Sequence, residues 1–114
     1  MVRIYHNAHC SKSRATLALL EEHGGVFEVI HYLDTPPSAS ELTVLLEQLG
    51  MSTRELLRNG EAEYQSLGLD DPALDDAALI AAMVAHPKLI ERPIVVANGK
   101  AAIGRPPEAV LAIL

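Results

Sequence analysis

The stretch from Val2 to Leu33 constrains the fold most, because its hydrophobic period changes twice. "VRIYH" (Val2 to His6) is short and rich in β-branched and aromatic residues, the composition of a strand. "SKSRATLALLEEHGG" then sets Leu17, Leu19 and Leu20 ahead of two acids and stops at Gly24-Gly25, the pattern of a helix. "VFEVIHYL" (Val26 to Leu33) alternates as a second strand. A helix between two strands is the crossover that parallel pairing requires, so a β-α-β unit is expected. Such a unit commits the chain to a sheet with a helix packed on its face.

Residues 34–86 read as mainly helical. In "SASELTVLLEQLG", Ser38 and Glu41 have capping-box spacing and Gly50 supplies a stop. "STRELLRNG" repeats the device with Ser52 and Glu55, and Gly60 is expected to close that helix. "EAEYQSLG" predicts a further short helix, and "DDAALIAAMVAHP" a longer one capped by Asp75 and ended before Pro87. The last part differs. "PIVVANGKAAIG" is two short apolar runs around Asn98-Gly99, a strong hairpin signal, and a final helix is expected from Pro106 or Pro107 through "EAVLAIL". The order is β-α-β, a helical block, then β-β-α. The expected fold is α/β and thioredoxin-like: a four-stranded mixed sheet flanked by helices, with an enlarged helical insertion between the second and third strands. No internal repeat or linker splits the sequence, so a single domain over residues 1–114 is expected.

Fifteen acidic against nine basic residues give a net charge of −6, which argues against non-specific binding to nucleic acid or to an anionic membrane. The apolar stretches fall short of the ~20 residues a membrane-spanning helix needs. Cys10 is the only cysteine, which fits a reducing compartment, and "MVRIYHN" lacks the apolar run of a signal peptide; cytoplasmic residence is expected. No heptad or edge-pairing strand demands a dimer, so a monomer is expected, without a metal or a bound cofactor.

Cys10 lies in the polar stretch "YHNAHCSKSR". A buried cysteine used as apolar filler belongs among Leu and Val, and this one does not stand there. A free thiol has a pKa of ~8.5, which a helix N-terminus or neighbouring cations lower to ~3.5–7.5. Cys10 precedes the helix that starts near Ser11, and Arg14, one turn further on, is expected to face the same side. Asn7, Ser11 and Ser13 can donate hydrogen bonds to a thiolate, and His6 and His9 can do so or supply charge.

Arginines stand in three further contexts of interest: "LLRNG" with Arg58 at an expected helix end, "ERPIVV" with Arg92, and "GRPPE" with Arg105. Several arginines converging on one thiolate would bind a tetrahedral oxyanion and keep the sulfur ionised. Each alone also reads as a solvated surface residue, and Arg58 as a charge complementing a helix end. Pro93 falls in the loop before the third strand, where a thioredoxin-like fold often carries a cis-proline; the alternative is a trans proline opening an edge strand.

Together, "IYHNAHCSKSRATL", "TRELLRNGEAEYQSLGL", "HPKLIERPIVV" and "GRPPEAVLAIL" resemble the glutaredoxin-linked arsenate reductase family along essentially the whole chain. The resemblance implies an enzyme of arsenic detoxification that reduces arsenate to arsenite with glutathione as co-substrate and glutaredoxin as partner. The family nucleophile matches Cys10, the oxyanion-binding arginines match Arg58, Arg92 and Arg105, and the histidine that tunes the thiolate matches His6. The Ser-Arg pair after the cysteine is present as Ser13 and Arg14. The implied mechanism is attack of the Cys10 thiolate on arsenate, with water leaving and an arsenic(V) thiolate ester forming. No second cysteine can resolve that adduct, so glutathione attacks next and glutaredoxin removes that glutathione to release arsenite. One departure is visible: the family often reads His-Asn-Pro-x-Cys, whereas this chain has Ala8, which loosens the loop, and His9, which adds a titratable neighbour.

Two rival readings use the same thiol. Relatives of this fold bind RNA polymerase as redox-sensing transcription regulators through a Cys-x-x-Cys switch, but Cys10 and Ser13 cannot form that disulfide. A monothiol glutaredoxin-like thiol transferase would use Cys10 and Ser13, yet it gives no role to Arg58, Arg92 and Arg105.

Overall fold

The computed structural model describes residues 2–114. The backbone divides into two compact units, one made of the chain up to Thr35 together with Arg92–Leu114, the other of Pro36–Glu91.

The first unit carries the sheet. Strands β1 (Val2–His6), β2 (Phe27–His31), β3 (Ile94–Ala97) and β4 (Lys100–Ile103) lie in the order β2-β1-β3-β4. β1 pairs parallel with β2 and antiparallel with β3, and β3 antiparallel with β4, which is the mixed sheet expected. The β1–β2 crossover is helix α1 (Ser11–His23). Ile4, Leu20, Val95 and Val110 form the buried core, with Leu17, Val29 and Ile113 packed against it. The β3–β4 turn is Asn98-Gly99, with φ of 55° and 74°. Two successive left-handed residues suit a two-residue hairpin, and Asn and Gly tolerate that region best. β2 is shorter than its hydrophobic run: Val26 is left exposed, and beyond His31 the amides of Asp34 and Thr35 fold back onto the His31 carbonyl.

The second unit holds helices α2 (Ala39–Leu49), α3 (Thr53–Leu56), α4 (Ala62–Ser66) and α5 (Asp76–Ala85), followed by a 3-10 turn at Pro87–Leu89. Both expected capping boxes form: Ser38 and Glu41, and Ser52 and Glu55, each exchange side-chain and backbone hydrogen bonds. Asp75 caps α5 by accepting from Ala78 N. Leu42, Leu56, Leu79, Met83 and Leu89 are buried in this unit.

Two helix expectations are corrected. α3 ends at Leu56, well before Gly60, because Leu57 turns extended and forms a β-bridge with Ile90, reinforced by Arg58 N–H to Leu89 O and Glu91 N–H to Leu56 O. Arg58 therefore lies outside any helix and complements no helix dipole. The last segment, Pro107–Ile113, is a 3-10 helix. Bonds such as Ala109 N–H to Pro106 O close after three residues, the tighter arrangement common in short terminal pieces. Among the described residues no helix is long and apolar enough to cross a membrane.

Candidate active site

Between β1 and α1 the chain has four residues, Asn7 to Cys10, and most of their polar groups are tied down locally. Asn7 is held on three sides. Its N–H donates to Ser13 Oγ (2.9 Å), its Oδ1 accepts from His9 N–H (3.0 Å), and its carbonyl accepts from Cys10 N–H (3.0 Å). Side chains of this type fold the backbone onto themselves, which is why Asn serves well here. Ser13 is fully buried, and its hydroxyl also lies 2.6 Å from His6 Nδ1. The His6 ring packs edge-on against His31 with centroids 5.9 Å apart. Burial, then the charges of His31 and Arg14, hold the His6 pKa below its ordinary value, so the ring is largely neutral at pH 7.

Cys10 is the N-cap residue of α1, with extended φ and ψ of −100° and 123°. Ser or Asp at that position would accept a short hydrogen bond from the second or third helical amide. The Cys10 side chain makes no such short cap bond, yet those amides still point at it. Burial pushes the Cys10 thiol up, but the Ser13 amide, the Arg92 side chain, the Lys12 amide and the Arg92 charge outweigh it. The net result is a pKa below the ordinary thiol value, which favours the thiolate.

Arg105 reaches the same sulfur from the far end of the chain. Its Nη2 donates to Cys10 Sγ at 3.5 Å while its Nε donates to the Arg92 carbonyl at 2.7 Å. One guanidinium therefore ties the loop before β3 to the Cys10 loop, a two-ended contact that a single ammonium cannot copy. The Arg92–Pro93 peptide is cis, as expected for Pro93, and so is Arg105–Pro106, which the sequence reading did not anticipate.

Gly104, just before Arg105, is a residue that the sequence reading missed. A Cβ built there would collide with Thr16 Oγ1 of α1 and lie 2.8 Å from Pro93 Cγ. Gly104 N–H also donates to Pro93 O at 3.0 Å. A side-chain-free residue thus lets the end of β4, the Pro93 loop and α1 meet, which delivers Arg105 to Cys10. Its only sequence signal is a glycine directly before an Arg-Pro pair.

Other expected residues lie elsewhere than on the sulfur. Arg14, expected beside the thiolate, sends Nη1 to Ala8 O at 2.9 Å, and its charge acts on His6. Arg14 is exposed on the first turn of α1, as are Ala8 and His9 at the crest of the loop. The Asn7 side chain is committed to His9 N–H and the Ser13 hydroxyl to Asn7 N–H and His6, so Ser13 acts on the sulfur through its amide. The His9 and Ser11 side chains are exposed. In the second unit, Arg58 donates Nη1 to Glu91 Oε1 at 2.8 Å, with Nε 3.3 Å from Glu61 Oε1. No group of three or more His, Cys, Asp or Glu side chains among the described residues is arranged to hold a metal ion.

Comparison with known proteins bears on the family and the fold. The ArsC family model matches residues 5–113. A Neisseria meningitidis serogroup A protein named arsenate reductase is 54% identical over 99% of this chain and 97% of its own length. An Escherichia coli K12 protein, "Uncharacterized protein YfgD", is 60% identical over 99% of this chain and 96% of its own. The solved structure of an arsenate reductase from Vibrio cholerae superposes with a TM-score of 0.97 at 59% identity, covering 99% of this chain and 97% of that one. A thioredoxin-like sheet, a cysteine at the head of its first helix and this likeness over nearly the whole length make the chain a member of the ArsC family, homologous to arsenate reductases.

Proposed function

We propose that this protein reduces arsenate to arsenite, with Cys10 as nucleophile, glutathione as co-substrate and a glutaredoxin as partner. The observation that carries the reading is the pair of guanidiniums at one sulfur: Arg105 Nη2 lies 3.5 Å from Cys10 Sγ, and Arg92 hydrogen-bonds to the same atom and lowers its pKa. A thiolate kept ionised beside two planar cationic forks suits attack on a tetrahedral oxyanion.

The Cys10 thiolate attacks arsenic, an arsenate hydroxyl takes a proton and leaves as water, and an arsenic(V) thiolate ester forms. Arg92 and Arg105 absorb the charge of the remaining oxygens, a stabilisation that is often the largest single contribution to rate. Arg58 joins this reading through the family motif alone. The glutathione thiolate next attacks the Cys10 sulfur, and the sulfur–arsenic bond breaks with its electron pair going to arsenic. Arsenic(V) becomes arsenic(III), and the two thiols become one mixed disulfide. Glutaredoxin then takes the glutathionyl group by thiol–disulfide exchange and restores the Cys10 thiolate.

The test is arsenate reduction with glutathione and glutaredoxin, comparing wild type with Cys10→Ser. The serine variant is expected to fall to background. Wild-type reduction of mixed disulfides with no arsenate turnover would instead support a thiol transferase.

A further inference from the structure

Arg14 was expected to face the thiolate, and its actual partner assigns it different work. Asn7 is pinned through its amide, side chain and carbonyl, and Cys10 is pinned as the helix cap. Between them Ala8 and His9 form an exposed crest. Ala8 has no ring to restrict φ and no polar side chain to bond the backbone, so its torsions depend on what holds its carbonyl. Arg14 Nη1 holds it at 2.9 Å. The Arg14 backbone N–H in turn donates to Cys10 O at 3.0 Å, the first bond of α1. Through its two ends Arg14 therefore couples the crest of the loop to the same helical turn whose Lys12 and Ser13 amides face the sulfur.

We propose that Arg14 is a positioning residue that braces the Ala8–Cys10 loop through the Ala8 carbonyl, supplying the restraint a proline at position 8 would otherwise give. The inference rests on the reading of Cys10 as the nucleophile, and it deepens that reading. Loosening the crest moves Cys10 off the helix amides and away from Arg92 and Arg105.

The alternative, a direct electrostatic effect of the Arg14 charge on the sulfur, makes different predictions. The probe is Cys10 alkylation by iodoacetamide at pH 7, with the thiol pKa followed by thiolate absorbance and loop mobility by amide exchange at Ala8, His9 and Cys10. Arg14→Ala is expected to slow alkylation roughly tenfold, the scale of one charge-assisted hydrogen bond, and to speed exchange at the crest. The deficit is expected to persist in about 1 M salt, where the Debye length falls to ~3 Å. Adding Ala8→Pro to Arg14→Ala is expected to recover most of the lost reactivity without restoring any charge.

A deficit that vanishes in salt, a double variant no better than Arg14→Ala, or Arg14→Ala indistinguishable from wild type overturns the brace. Thermal melts of each variant separate these outcomes from a failure to fold. None of the readouts uses arsenate. A wild-type protein that never reduced arsenate would therefore sink the proposed function and leave the brace to stand or fall on its own.

Discussion

The Cys10 loop and the Arg58 segment treat their arginines in opposite ways. At the loop, Arg105 donates to the Cys10 sulfur and Arg92 favours its ionisation. In the second unit, Arg58 is turned on two carboxylates, Glu91 at 2.8 Å and Glu61 at 3.3 Å. An arginine facing a titratable thiol changes chemistry, because each ~1.4 kcal/mol of preference for the thiolate shifts its pKa by about one unit. Partly exposed pairs such as those of Arg58, whose side chain is 23% exposed, contribute ~1 kcal/mol or less to stability. In a protein with nine basic and fifteen acidic residues, the presence of arginine says little until its partner is known.

The largest expected effect that probes this contrast is at Arg105. Arg105→Lys keeps the charge but loses the bond from Nε to Arg92 O, so arsenate kcat/KM should fall roughly 10- to 100-fold with the melting temperature nearly unchanged. Wild-type turnover in that variant would put Arg105 in the same class as Arg58. A smaller effect is expected at Gly104, where the change acts on Arg105 through packing. Gly104→Ala should destabilise by ~1–3 kcal/mol through overpacking against Thr16 and Pro93, and it should raise the Cys10 pKa as Arg105 shifts. Denaturant melts and thiol titration read the two consequences separately; a stability loss without a pKa change would confine Gly104 to packing. The smallest effect is expected at Glu91. Glu91→Gln keeps an acceptor for Arg58 and removes one charge, so stability should drop by less than ~1 kcal/mol and the Cys10 titration should not move. A Cys10 pKa that followed Glu91→Gln would erase the distinction between the two arginine groups.

Much of the fold was legible because its signals are local. The boxes at Ser38 and Ser52 and the cap at Asp75 each close within three residues, so the spacing in the sequence already states the hydrogen bond. The Asn98-Gly99 turn is equally local. Expectations failed where a longer-range partner intervened. The helix after Ser52 stops early because Leu57 finds Ile90 across the chain, a contact that overrides the leucine run's propensity to continue. Helical geometry points Arg14 at Cys10, four residues away, whereas its guanidinium takes the Ala8 carbonyl, six residues away.

For the site, the sequence by itself determined where the one cysteine stands, at the head of a helix, since it falls between a strand pattern and a helix pattern. It also determined the alternation of strand and helix and the caps that bound the helices of the insertion, because these depend on hydrophobic period and on bonds spanning a few residues. Only the tertiary structure decided which arginine meets the thiol, which one meets carboxylates, and why position 104 must lack a side chain. The physical reason is distance along the chain. Arg105 and Cys10 are 95 residues apart, and they meet beside the place where Gly104, Thr16 of α1 and Pro93 approach too closely to leave room for a Cβ.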